Sequence, residues 1–201
     1  MLLDIFGALT SLASTYYFIR LDSRAWLISL LATCLNGWLY WQKGIYADMV
    51  LESFYFFSTC YGWYLWRKPS KQSAPLILRL SLKQVFFLVL AIFGLFVSIY
   101  YLLSRFTYSN IALLDALTTS LSLAGQWLMC HKIIATWLIW FVTDALYAYM
   151  YLHKQLPFHC LLMCLYTGMA ILGYLSWARQ GTIKESFNPT NVDCIDGPAS
   201  Q

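Results

Sequence analysis

Apolar residues fill seven long stretches of the chain, at 2–19, 26–42, 46–66, 84–104, 111–130, 136–152 and 157–177. A helix that crosses the hydrocarbon core of a bilayer needs about 20 such residues, so the pattern predicts seven spanning helices. The connections between most of them are short, as in Gln42-Lys43-Gly44 and His153-Lys154-Gln155. Short connections force neighbouring spans to run antiparallel. The longest connection, 67–83, contains Pro69 and Pro75 and several bases. The stretch from 178 is polar, with Gly181, Pro189 and Gly197, and is expected to be disordered.

Six of the seven stretches carry polar residues at steps of three or four, which puts each set on one helix face. The sets are Asp4, Ser11 and Thr15; Ser29, Thr33, Asn36 and Tyr40; and Asp48, Glu52, Tyr55, Thr59 and Trp63. In the second half they are Asp115, Thr119, Ser122 and Gln126; Trp140, Asp144, Tyr147 and Tyr151; and His159, Met163 and Tyr166. Six such faces turned towards one another would line a polar, aromatic cavity. The stretch at 84–104 has only Gly94, Ser98 and two tyrosines as interruptions and reads as a linker helix.

The chain also resembles itself. A gapless shift of 111 residues places 16 of the 65 positions from 2 to 66 on identical residues. Leu2-Leu3-Asp4 falls on Leu113-Leu114-Asp115, Ser11-Leu12-Ala13 on Ser122-Leu123-Ala124, and Trp26-Leu27-Ile28 on Trp137-Leu138-Ile139. Tyr55, Gly62 and Trp66 fall on Tyr166, Gly173 and Trp177. Spans 1–3 therefore match spans 5–7. Four crossings separate the two starts, so both repeats begin on the same side and are parallel, a recurring transporter plan with its site near the midplane. The expected units are a first repeat at 1–66, a loop and linker helix at 67–110, a second repeat at 111–177 and a tail at 178–201.

Composition sharpens this picture. Hydrophobic residues make up 60% of the chain and charged residues 11%, less than half of the about 25% that covers a soluble surface. The surface must face lipid. A net charge of +4 without a dense basic stripe gives no footprint for a nucleic acid. Placing the N-terminus outside puts ten Lys and Arg on the cytoplasmic side against three outside, the distribution that fixes orientation. Five of the six cysteines lie in apolar runs and none forms a CxxC pair, so they read as small buried hydrophobes. The segment MLLDIFGALTSLAST lacks a basic leader and reads as the first span rather than a removed signal peptide.

Among the acids, Asp4, Asp48 and Asp115 sit near span ends, where water can reach them. Glu52 lies further in, and Asp144 lies near the middle of its span. An ionised carboxylate there costs about 2.5–3.5 kcal/mol even on the lenient insertion scale, and no Lys or Arg lies inside a span to offset it. A cationic ligand or cavity water is the expected partner. Trp26, Trp66, Trp137 and Trp177 fall at cytoplasmic span ends and Trp41 at an outer end, as an aromatic belt would place them. Trp63, Trp127 and Trp140 lie deeper, where indole faces stack on flat rings and attract cations; packing alone is the competing reading for each. No metal-binding pattern, nucleophile elbow, phosphate loop or dinucleotide fingerprint is present, so neither metal nor cofactor is expected. A membrane enzyme with Asp144 and Glu52 as acid and base is the rival reading.

Two segments carry a family likeness. Gly44-Ile45-Tyr46-Ala47-Asp48 leads to Tyr61-Gly62-Trp63-Tyr64-Leu65-Trp66, and Gln126-Trp127-Leu128-Met129 precedes the WxxWxxxD run from Trp137 to Asp144. With these the chain resembles the PnuC family of bacterial vitamin transporters over nearly its whole length to about Trp177. The resemblance implies an all-α polytopic protein of the inner membrane with a three-plus-one-plus-three plan like that of the SWEET transporters. It further implies facilitated diffusion of nicotinamide riboside, trapping by a cytoplasmic kinase and homotrimeric assembly. Members that carry the riboside have an amide where this chain has Asp144 and a glutamine where it has Glu52. The thiamine-type branch tolerates an acid at the Asp144 position, so thiamine is the second candidate. Both vitamins are small, flat and cationic. The expected substrate set is Asn36, Glu52, Tyr55, Thr59, Trp63, Gln126, Trp127, Trp140, Asp144 and Tyr147, gripped as two three-helix bundles rock about a midplane site.

Overall fold

The computed structural model describes residues 2–43, 46–67, 77–106, 112–153, 155 and 157–180, without the side chains of 2–5, 39, 40, 43 and 46–50. The expectations for the tail and most of the 67–83 loop, and for the side chains of Asp4, Tyr40 and Asp48, lie outside the described residues. The described chain is seven α-helices: α1 (Leu2–Ile19), α2 (Arg24–Lys43), α3 (Tyr46–Arg67), α4 (Leu82–Phe106), α5 (Ala112–Cys130), α6 (Ala135–His153) and α7 (Pro157–Gln180). Two of them, α4 and α7, are long and apolar enough on their own to read as spans.

Local sequence sets several of these ends. Ser81 and Gln84 form a capping box ahead of α4: the Gln84 side-chain oxygen accepts the Ser81 N–H at 2.9 Å, and Ser81 Oγ accepts the Gln84 N–H at 3.4 Å. Pro157 opens α7, at a position where its missing N–H costs nothing. Asp22 Oδ1 accepts the Arg24 N–H at 2.9 Å ahead of α2, while its second oxygen holds the Arg24 guanidinium at 2.6 Å. That cation holds the Asp22 carboxyl below its ordinary range.

The internal repeat is visible bond by bond. The α1–α2 turn has Leu21 at φ 56° and the α5–α6 turn has Lys132, its counterpart at the 111 offset, at φ 54°. Leu21 N–H donates to Phe18 O at 3.0 Å and Lys132 N–H to Met129 O at 3.1 Å. Asp22 N–H donates to Tyr17 O at 3.0 Å and Ile133 N–H to Leu128 O at 3.1 Å. Helices α1–α2–α3 and α5–α6–α7 each pack in sequence, and they close a ring of six because α3 packs on α5 and α7 on α1. Helix α4 packs on α5 outside this ring and buries no residue of its own.

The core sits at one end of the ring. Trp26 (0% exposed), Trp66 (8%), Trp137 (2%) and Trp177 (0%) form a layer there with Phe18, Met129 and Ile77. This corrects the expectation of an aromatic belt, since these rings are closed off from lipid. Gly62 and Gly173 explain why: a Cβ on Gly62 would lie 2.2 Å from the Trp26 ring, and one on Gly173 2.5 Å from the Trp137 ring. The indole N–H groups of the other pair bond across the repeats. Trp66 Nε1 donates to Met129 O at 3.3 Å and Cys130 O at 3.1 Å, and Trp177 Nε1 to Phe18 O at 3.1 Å. Phe18 and Met129 are again counterparts at the same offset. Trp41, 57% exposed, keeps a belt-like position.

One element was not legible beforehand. The chain entering α4 runs beneath the tryptophan layer, with Ile77 buried and Leu78 in a parallel bridge to Ile133. Leu78 N–H donates to Lys132 O and Ile134 N–H to Leu78 O, both at 3.0 Å. The Lys132 ammonium lies over the Trp66 ring, 4.9 Å from its centroid, and burial lowers its pKa.

Candidate functional site

Two tyrosines stand at equivalent places in the repeats and reach across to the opposite one. Tyr55 of α3 meets Ser122 of α5, and Tyr166 of α7 meets Ser11 of α1. The 111 offset relates Tyr55 to Tyr166 and Ser11 to Ser122, so the two pairs are one contact made twice about the axis between the repeats. Helical phase explains the arrangement. Tyr55, Thr59 and Trp66 lie four and seven residues apart, so a single stripe of α3 faces α5.

Chemistry breaks this symmetry. Position 144 in α6 is an acid, whereas its counterpart Thr33 in α2 is a hydroxyl bonded to its own helix at Ser29 O, 3.2 Å away. Asp144 is 9% exposed, with Tyr147 and Tyr166 as its electrostatic neighbours. Tyr147 in turn meets Thr118 on α5 and neighbours Tyr55. Among the described residues no cationic side chain approaches Asp144. Among the described residues the carboxyl thus has two tyrosines and no base as neighbours.

The other expected residues are distributed around this cluster rather than within it. Trp140 lies over Gly125, where a Cβ would sit 3.2 Å from its ring, and Gly125 is held by Thr136 Oγ1 donating to its carbonyl at 2.8 Å. Trp140 thus packs α6 onto α5, one helical turn from Asp144. Gln126 Nε2 donates to Thr59 Oγ1 at 3.3 Å, so these two join α5 to α3. Asn36 is the counterpart of Tyr147 and lies against Gly7 of α1, where a Cβ would be 2.6 Å from its Oδ1. Glu52 neighbours Tyr55 but also lines a groove of about 430 Å³ between α2 and α3, walled by Trp38, Trp41, Phe56 and Phe57.

Two residues stand apart from the cluster. Trp63 packs against the tryptophan layer with the Arg67 guanidinium 5.1 Å from its ring centroid; eight residues beyond Tyr55, it is about 12 Å further along the helix. Trp127 is 56% exposed and stacks on Tyr61 at 5.8 Å, on the outer face of α5. Its neighbour Gln126 holds the inward position, which turns Trp127 out by about 100°. Ser11, Thr118, Ser122 and Tyr166 belong to the cluster although the sequence reading did not place them in the substrate set. The signal for Tyr166 was its match to Tyr55 in the repeat.

Comparison with known proteins agrees with this architecture. The family model described as nicotinamide mononucleotide transporter matches residues 1–179. A solved structure described as the crystal structure of the vitamin B3 transporter PnuC superposes with a TM-score of 0.71 at 20% identity, covering 89% of this chain and 81% of that one. No curated protein matches the chain.

Proposed function

The chain belongs to the nicotinamide mononucleotide transporter family, and from that premise we propose that it carries nicotinamide riboside by facilitated diffusion. The family is one of membrane transporters, so the reading of Asp144 and Glu52 as the acid and base of an enzyme is set aside. The supporting observation is the Asp144 cluster. A buried carboxyl with Tyr147 and Tyr166 as neighbours, and Tyr55 next to Tyr147, suits a flat cationic ring with polar substituents. Asn36, Glu52 and Trp140 border the space that a ligand enters when the repeats part; Thr59 and Gln126 hold one side of it.

Thiamine is the second reading, and Asp144 itself favours it: the amino N–H of an aminopyrimidine donates to one carboxyl oxygen, and a proton shared between the ring nitrogen and the other oxygen completes the pair. The orientation follows the basic residues, with the N-terminus outside and the C-terminus in the cytoplasm of a bacterial cell. Trapping by a cytoplasmic kinase and assembly as a homotrimer complete the proposal.

The test is uptake into proteoliposomes. Radiolabelled nicotinamide riboside and thiamine are offered in parallel, with and without an imposed pH gradient. Saturable exchange of one vitamin, indifferent to the gradient, is expected. Uptake that requires the gradient rules out facilitated diffusion, and uptake of neither rules out both substrates.

A further inference from the structure

The two contacts that close the ring of helices are equivalent in sequence position but, among the described residues, differ in their hydrogen bonds. At the α3–α5 seam, Gln126 bonds Thr59, Cys130 Sγ donates to Ser58 O at 3.5 Å and Trp66 Nε1 bonds two carbonyls of the opposite repeat. The Leu78–Ile133 bridge fastens the same end, and Ile77 is buried within it. At the α1–α7 seam, Trp177 Nε1 bonds Phe18 O and Ser176 Oγ donates to Ile19 O at 3.2 Å. The counterparts of Gln126 and Thr59 there are Thr15 and Ala170, and a methyl group accepts no hydrogen bond. The counterpart of Cys130 is Ile19, which has no thiol to donate. Among the described residues no strand pairs with the Leu21–Ser23 turn as Leu78 pairs with the Lys132–Ile134 turn. Chain connectivity adds to the imbalance, because α3 continues through the Leu78 strap into α4, which packs on α5.

Asp144 neighbours Tyr166 of α7 as well as Tyr147, which meets Thr118 of α5. Its neighbour Tyr166 is the residue that reaches Ser11 across α1–α7.

We infer that α3–α5 is a hinge and α1–α7 is the seam that parts to admit substrate. The two repeats then move as a clamshell about one edge, rather than rocking equally on two. The inference rests on the reading of Asp144 as the substrate's partner only for its role in admission; the difference between the seams stands without it.

Two cross-links test it in the full-length protein, in a background with the remaining cysteines replaced by serine. Ser58→Cys paired with native Cys130 ties the hinge. Ile19→Cys with Ser176→Cys, in a Cys130→Ser background, ties the opening seam. Each is oxidised in proteoliposomes, and uptake of nicotinamide riboside and thiamine is measured before and after reduction, so that recovered uptake proves the fold intact. The expected result is that the α1–α7 link stops uptake reversibly while the α3–α5 link leaves it in place. Arrest by the α3–α5 link, or continued uptake with α1–α7 linked, overturns the assignment. Spin labels at the same four positions, read as distance distributions in lipid, give a second measure that needs no substrate. One narrow distance at α3–α5 and two at α1–α7 are expected, and equal behaviour at both seams overturns it. Absence of uptake in the reduced proteins would count against the proposed substrates alone, and the distances would still decide the seams.

Discussion

Adding one methyl group to Gly173 tests the tryptophan layer most sharply. The new Cβ in Gly173→Ala would lie 2.5 Å from ring carbons of Trp137, about 1 Å inside an ordinary carbon–carbon contact. The ring has nowhere to retreat: it is 2% exposed and meets the edge of Trp177 at 5.4 Å and 89°. Overpacking of this kind costs about 1–3 kcal/mol, against about 0.5–1 kcal/mol gained by replacing a helical glycine with alanine. The expected net loss is about 1–2 kcal/mol, or roughly 2–8 °C in the unfolding midpoint for a chain of this size. Gly62→Ala, with its Cβ 2.2 Å from Trp26, should lose as much. Gly94→Ala in α4 and Gly168→Ala in α7 are the controls, because nothing lies within 4 Å of either new methyl, and both should gain slightly. The assay is thermal unfolding of the purified variants in detergent, followed by size-exclusion recovery. If Gly173→Ala and Gly62→Ala melt with the controls, the close ring-on-glycine packing is wrong.

Two further outcomes follow from the ends of the helices. Ile77→Ala empties a 1% exposed site under the tryptophan layer and should cost about 2–5 kcal/mol; a midpoint equal to that of the parent would mean that the strap does not support the layer. Because the folded-state pKa of Asp22 lies below its ordinary value, the pair with Arg24 stabilises the fold fully above the ordinary carboxylate range and loses that contribution as pH falls through the folded value. Asp22→Asn should therefore flatten the acid limb of a stability–pH curve, with the parent's advantage still present near pH 4 and gone only below the folded value, which a melting series across pH 2–7 checks; an unchanged acid limb would assign it to other carboxyls.

The helices were legible because membrane spans announce themselves by length and composition. Expected and observed ends agree within three residues, as in 84–104 against Leu82–Phe106 and 157–177 against Pro157–Gln180. The 111-residue offset carried more than topology: it reappears in paired turns, in the Trp66 and Trp177 cross-bonds and in the Tyr55 and Tyr166 contacts. What stayed hidden depended on neighbours remote in sequence. Trp26 and Trp137 at span ends look like belt residues until Gly62 and Gly173 open room for their rings. Trp127 and Gln126 adjoin in sequence, and only the packing of α5 on α3 decides that Gln126 faces in and Trp127 out. The Leu78 bridge is a contact of one residue and leaves no periodicity to read.

The central claim is that Asp144 holds the positive charge of the substrate, and ligand binding to purified Asp144→Ala tests it most directly. Titration with nicotinamide riboside and thiamine in parallel, beside a melting curve to show that the variant is folded, should give saturable binding of one vitamin to the parent and none to the variant. Parent-like affinity in the folded variant would contradict the assignment.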